Sequence, residues 1–183
     1  MPAAARAAYS VPFQLDLGLT LGPLQRGPRD PTIRFSADQV WRAARTPEGA
    51  GCLHLGVEDH TIRATAWGDG AGWLVGQVPR LLGFDDVPET FRPRPGLLAE
   101  LHRRHPGLRL GRTEIIFEAL LPTILEQKVP GVEAWSAYAR LITACITGCP
   151  HVPPIIRWDG CRRRISSLTT ATIRWYAAGM STT

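Results

Sequence analysis

The first 91 residues alternate apolar and polar positions in a way that predicts β-strands. The alternation is regular from Tyr9 to Leu17, and it returns in a hairpin in which Cys52–Val57 and Thr61–Trp67 flank Glu58-Asp59-His60. Further strand and turn signals lie at Thr32–Phe35, Gln39–Arg45 and Thr46-Pro47-Glu48-Gly49. A Gly/Pro loop from Gly22 to Pro31 is expected to hold a short turn of helix. The pattern therefore predicts an antiparallel, β-rich domain over residues 1–91.

Apolar spacing changes to the helical period after the last predicted strand. Apolar residues between Trp73 and Leu82 predict a helix that Gly83 ends. A polar, proline-containing linker from Phe84 to Pro95 marks the expected domain boundary. Another helix is expected to begin around Leu97 and to end at Pro106-Gly107.

The longest helical pattern runs from Arg112 to Cys145 and predicts two helices. Thr113 is expected to cap the first helix, Pro122 to kink it, and Pro130 to start the second. The predicted buried stripes are Ile116, Ala119, Leu120, Thr123 and Ile124 in the first helix, and Ala134, Ala137, Tyr138, Leu141 and Cys145 in the second. The polar connection between them, residues 126–131, is the predicted functional region.

Composition narrows the class of protein without identifying a function. The 183 residues are 44% hydrophobic and 20% charged, as in ordinary globular proteins. No apolar run approaches the length of a membrane span, and residues 1–8 lack the hydrophobic segment of a signal peptide. We therefore expect a cytoplasmic protein that does not contact a membrane.

Positive charge is unevenly distributed along the chain, whose formal net charge is +5. Residues 151–183 hold five Arg and one acid, Asp159, so this segment carries +4 and the rest only +1. Residues 92–112 nevertheless hold six Arg against Glu100 alone. A solvated helix face and contact with nucleic-acid phosphates both explain such a run. Arg109 and Arg112 are the candidates for phosphate contact.

Two neighbouring sequence segments resemble one family of DNA repair enzymes. His105-Pro106-Gly107-Leu108-Arg109-Leu110 is followed, six residues later, by F-E-A-L-L-P-T-I-L-E-Q-K-V-P from Phe117 to Pro130. This order resembles the DNA-3-methyladenine glycosylase II family of the helix-hairpin-helix superfamily, over about residues 9–146. The resemblance implies an α+β fold, in which a small antiparallel β-domain precedes a helical glycosylase domain. It also implies hydrolysis of the bond between an alkylated purine and deoxyribose in double-stranded DNA, without a cofactor or a metal.

The resemblance implies a DNA contact at Gln127, Lys128, Val129 and Pro130. At this position the family inserts a side chain into the gap left by a flipped base. Such wedges are usually apolar. Because Lys128 stands at the matching place, phosphate contact can replace wedging. A solvent-exposed turn without a function is the alternative interpretation.

The catalytic part of the resembled family is not found in this sequence. There, an L-P-G-[IV]-G hairpin offers backbone N–H groups to a DNA phosphate, and a nearby Asp assists the oxocarbenium-like sugar. Here no Gly-x-Gly begins after residue 70, and the acid beyond Glu133 is Asp159, which is interpreted as a surface turn residue. The catalytic residue is therefore unknown.

We expect the helical domain, residues 92–150, to be incomplete, and residues 151–183 to form an irregular tail. Either the chain is truncated, or its last part comes from a shifted reading frame. A complete protein is expected to be monomeric, whereas a fragment is expected to aggregate through exposed apolar helix faces.

Three functions remain open at this point. The first is base-excision repair of alkylated DNA, and the second is DNA binding without catalysis. The third is a zinc-stabilised interaction module that uses Cys145, Cys149, His151 and Cys161 as ligands. Their spacing is not a standard zinc pattern, and free cysteine is commonly a small core residue, so no metal is predicted.

Overall fold

The computed structural model describes residues 4–146 and combines one antiparallel sheet with five α-helices. The strands are β1 (Ala5–Ser10), β2 (Ile33–Ser36), β3 (Gln39–Thr46), β4 (Gly49–Glu58) and β5 (Thr61–Gly68). They lie in the order β1-β5-β4-β3-β2. The helices are α1 (Leu17–Leu21), α2 (Ala71–Leu81), α3 (Leu97–Arg104), α4 (Ile116–Leu125) and α5 (Gly131–Ile146). The predicted α+β class is confirmed.

The predicted hairpin is the centre of the sheet. Strands β4 and β5 pair along their length, from Gly51 opposite Gly68 to Glu58 opposite Thr61. Asp59 turns the chain with φ of +53°, a conformation that Asp adopts more readily than most residues. The predicted strands at Thr32–Phe35 and Gln39–Arg45 correspond to β2 and β3. Period-two alternation therefore located this part of the fold.

The strand predicted from Tyr9 to Leu17 is wrong in its position. Strand β1 lies earlier and ends at Ser10, which pairs with Thr61. Val11 donates one more backbone hydrogen bond to His60, and the chain then leaves the sheet. Asp16 caps α1 by accepting from the N–H of Leu19 at 2.8 Å. The local cap therefore prevails over the alternation between residues 11 and 17.

One face of the sheet packs against α2 and forms the core. Leu53, Ala66, Leu74, Val78 and Leu82 have no measurable exposure. Gly51 permits the close approach, because a Cβ there would lie 2.6 Å from Cδ1 of Leu74. The predicted helix over residues 73–82 is confirmed by α2, and the buried apolar area makes this region the main source of stability.

The opposite face of the sheet carries a stack of three aromatic rings, which we call the aromatic stack: Trp41, His54 and Trp67. The register places Trp41 opposite His54, and Trp67 opposite the fully buried Cys52. Both tryptophans are half-buried and lie on the face away from α2. Their period-two position gave no information on which face of the sheet would be covered.

Helices α3, α4 and α5 follow the predicted order, but α4 differs in two respects. It begins after Ile115 rather than after Thr113, because Glu114 takes φ of +55°. Its predicted buried stripe also faces solvent: Ile116 is 83% exposed, and Leu120 and Ile124 are about half exposed. In α5, Ala134 and Tyr138 are buried as predicted, whereas Ala137 is exposed. The predicted tail, residues 151–183, lies outside the described residues.

Candidate nucleic-acid interface

The loop between α4 and α5 is an ordered turn on the surface. Glu126 donates its N–H to the carbonyl of Pro122 at 2.8 Å, which closes the end of α4. Lys128 then takes φ of +61°, in the left-handed region. The carbonyl of Pro130 accepts the N–H groups that begin α5. The solvent-exposed residues of this loop are Gln127, Lys128, Val129 and Pro130.

The loop is held in place by contacts between α5 and the segment after α1. Nη1 of Arg26 lies 3.8 Å from a carboxylate oxygen of Glu126. The ring of Trp135 packs on Gly27, where a Cβ would approach Cε3 of that ring to 2.8 Å. Because Gly27 also has φ of +77°, no other residue fits there without strain. The loop therefore has a fixed position relative to the β-rich region.

A buried ion pair joins α4 to the sheet. Nη2 of Arg42 lies 2.5 Å from Oε2 of Glu118, and Arg42 is only 3% exposed. Burial raises the pKa of the Glu118 carboxyl, although the Arg42 charge opposes this rise. Buried Asp30 lies nearby and accepts hydrogen bonds from Arg26 N–H and from both N–H and Oγ1 of Thr32. This polar junction fixes the orientation of α4.

Tyr138 belongs to the same junction. Its hydroxyl bonds to the Thr32 side chain, and burial together with the negative charge of Asp30 raises the pKa of that hydroxyl. The hydroxyl is therefore neutral at physiological pH and serves as a hydrogen-bonding group rather than as a base.

A cavity of about 230 Å³ lies at this junction between the sheet and α4. Arg26, Arg42, Glu118 and Tyr138 are among its lining residues. Within the described part of the chain, Nε of Arg26 and Nη1 of Arg42 have no hydrogen-bond acceptor.

Arg109 does not lie where a phosphate contact requires it. It is 4% exposed, and Nη1 donates to the carbonyls of Pro106 and Leu108 at 2.8 and 2.9 Å. Its guanidinium also lies 4.6 Å from the ring centroid of Phe13. Arg109 therefore connects the segment before α4 to the β-rich region. This placement disagrees with the expected DNA contact, and it arises because the surrounding backbone offers carbonyl acceptors to the guanidinium.

Arg112 is exposed, as a phosphate contact requires. Its backbone is held by Arg80 and Gln77: the N–H of Arg112 donates to the Arg80 carbonyl at 2.9 Å, and its own carbonyl accepts from Nε2 of Gln77 at 2.6 Å. Elsewhere in the arginine run, Arg103 and Arg104 both pair with Glu100 on α3. Of the two arginines predicted to contact DNA, only Arg112 is presented to solvent.

Neither a metal site nor a membrane span is found in the described part of the chain. Within residues 4–146, no group of three His, Cys, Asp or Glu side chains is arranged to hold a metal ion. Over the same residues, no helix has the length and hydrophobicity needed to cross a membrane. The side chains of the proposed zinc ligands, Cys145, Cys149, His151 and Cys161, lie outside the described residues.

Sequence reasoning missed the polar junction and the aromatic stack. A signal for the first existed in β3, where Val40, Arg42 and Ala44 share one face and thus place an arginine towards the core. A signal for the second was the pairing of Trp41 with His54 on adjacent strands. The second signal requires the register of the sheet, which the sequence pattern alone did not provide.

Comparison with known proteins gives a match at the level of fold. No protein-family profile and no curated protein sequence matches the chain. The structure is similar to a 3-methyladenine DNA glycosylase from Archaeoglobus fulgidus, with a TM-score of 0.59 and 19% sequence identity. The match covers 75% of this chain and 50% of that protein. The chain thus has a fold resembling the corresponding half of a DNA glycosylase.

Proposed function

We propose that this chain acts in base-excision repair, as the DNA-binding part of a DNA glycosylase for alkylated purines. The observation that carries this proposal is the exposed and anchored α4–α5 loop, in a fold similar to a 3-methyladenine DNA glycosylase. Damaged double-stranded DNA is the proposed partner. A cytoplasmic location stays a prediction.

Binding would rest on two exposed cations and on the loop backbone. Lys128 projects from the turn, and Arg112 lies just before α4, so each can contact a phosphate. Val129, 41% exposed, adds an apolar group at the tip, of the kind that proteins insert next to a displaced base. Glycosylases need such a displacement, because the target bond is inaccessible inside a duplex.

The salt dependence of duplex binding tests this surface. Each phosphate contact contributes about 0.9 to the slope of log affinity against log salt. Lys128→Ala and Arg112→Ala should each lower the slope by about one. Arg103→Ala is the matched control, since it also removes one positive charge but from a pair with Glu100. If the slope is the same for the wild type and for the Lys128 and Arg112 variants, these residues do not contact the DNA.

Release of alkylated bases separates the catalytic proposal from the alternative of DNA binding without catalysis. Since the hairpin and the Asp of the resembled family are not found in the sequence, we expect duplex binding without base release. Measured release of 3-methyladenine from alkylated duplex would show that a catalytic group is present. Stoichiometric zinc in purified protein would favour the interaction module instead.

A further inference from the structure

The face of the sheet away from α2 remains without a role in the proposed function. Its central side chains are the aromatic stack, Trp41, His54 and Trp67. The helix that packs on the sheet, α2, lies on the other face, against Leu53 and Ala66. Among residues 4–146 no helix packs on this face, and half-buried aromatic rings in such a place suggest a binding surface.

The three rings of the stack are close to parallel. The centroid of Trp41 lies 4.1 Å from that of His54 and 5.7 Å from that of Trp67. The corresponding interplanar angles are 28° and 14°. Each of the three side chains is half-buried, so each keeps part of its surface in contact with solvent.

The ring of His54 is fixed and uncharged. Its Nε2 lies 3.2 Å from Oε1 of Gln39, and burial lowers the pKa of its imidazole. The ring is then neutral at pH 7 and presents a flat π-surface. A nucleic-acid base can stack on such a surface in an offset arrangement.

The strand residues on the same face as the stack include more arginines than acids. The register puts Arg6, Arg34, Arg45 and Arg63 on this face, with Glu58 as the acid among its strand residues. Glu58 pairs with Arg63. The exposed acids Asp38, Glu48, Asp59 and Asp69 lie in the turns at the ends of the strands, so the positive charge belongs to the strands themselves. The arginines of this face can attract the negative charges of a polyanion, and the rings can stack with flat, uncharged groups that lie between those charges.

We propose that this face binds single-stranded DNA, with bases stacked on Trp67 and His54 and phosphates near the surrounding arginines. Single-strand binding surfaces combine positive charge with aromatic rings in this way. A duplex fits less well, because its bases already stack on one another. The site is separate from the α4–α5 loop, which is proposed to bind duplex.

Binding of a labelled 12-nucleotide single strand at low salt tests the proposal. Loss of one stacked base weakens binding by about five- to 150-fold. Trp67→Thr and His54→Ala should therefore weaken single-strand binding within this range. Thermal unfolding identifies ring variants that fail to fold. A pair of arginine variants tests the same face without changing a ring.

A matched pair of arginine variants keeps the test independent of packing. Arg63→Glu reverses an exposed charge on the proposed face, whereas Arg80→Glu reverses an exposed charge that pairs with Glu114 elsewhere. Only Arg63→Glu should weaken binding. The proposal is overturned if folded ring variants bind as the wild type does, or if the two arginine variants have equal effects. Tighter binding of single-stranded RNA of the same sequence, or a loss of duplex binding in the ring variants equal to their loss of single-strand binding, would also overturn it.

Discussion

The β-rich region and the α4–α5 hairpin contain similar apolar residues but use them differently. In the first, Leu53 and Leu74 are fully buried between the sheet and α2. In the second, Ile116 is 83% and Val132 73% exposed. The hairpin is joined to the sheet mainly by the polar junction around Arg42 and Glu118, and by Trp135 on Gly27. Burial thus stabilises one region, whereas the other keeps its apolar groups available for contacts.

Truncation of a core leucine should lower the free energy of unfolding more than any other change. It would show that buried side chains of the β-rich region contribute more to stability than exposed side chains of the hairpin. Leu74→Ala is expected to lower the free energy of unfolding by about 3 kcal/mol, because it removes a fully buried side chain and leaves a cavity. Val132→Ala, at a site 73% exposed on α5, is the control and should change it by less than about 0.5 kcal/mol. Urea denaturation measures both. Equal losses would show that this part of α5 is buried in solution.

Breaking the ion pair between Arg42 and Glu118 should give the next largest loss in the free energy of unfolding. Glu118→Ala leaves the buried guanidinium of Arg42 without its carboxylate and should cost about 2–3 kcal/mol. The double variant Glu118→Ala with Arg42→Leu should recover much of this loss, since no charge is then buried alone. If the double variant is as unstable as the single one, the pair does not act as a unit.

The same carboxyl should give a specific pH dependence. Because burial raises the folded-state pKa of Glu118 above its unfolded value, its favourable contribution is complete below the unfolded pKa. That contribution is lost as the pH rises through the folded pKa. Glu118→Gln should therefore remove a decrease in stability with rising pH across this window. Unfolding measured at several pH values, with Glu48→Gln at an exposed site as control, checks the sign.

A smaller effect is expected at the loop. Lys128 has φ of +61°, so the β-branched Lys128→Val should cost about 1–2 kcal/mol through backbone strain. Lys128→Gly should cost nothing or slightly stabilise the protein, because glycine adopts this conformation without strain. Thermal unfolding of the two variants separates the backbone from the side chain. A loop that tolerates valine would be more mobile than the structure indicates.

The smallest change in stability is expected on the exposed face of α4. Ile116→Ser should alter the free energy of unfolding by less than about 0.5 kcal/mol, since its side chain is largely in water. It should nevertheless reduce binding of a hydrophobic dye and any self-association measured by sedimentation. Thr123→Ser, on the same helix, is the control. Unchanged dye binding would mean that the apolar residues of α4 do not form the accessible surface.

Much of the fold could be predicted because its signals are local. Strands β2 to β5 followed from alternation and turn residues, and α2 followed from helical spacing and Gly83. The position of β1 could not be predicted, because the cap at Asp16 competes with the alternation that continues past Ser10. Within the candidate site, the loop residues predicted to contact DNA are exposed. Their contact with DNA stays a prediction.

By itself, the sequence determined most of the strands and helices, because backbone propensity and hydrophobic period act over a few residues. Only the tertiary structure decided which face of each element is covered. Arg109 and Arg112 illustrate this: they lie three residues apart in the same arginine run, yet one is enclosed by backbone carbonyls and the other faces solvent. The stripe on α4 is exposed for the same reason, since the helix turns Glu118 towards Arg42. Burial depends on residues distant in sequence, and no local pattern contains that information.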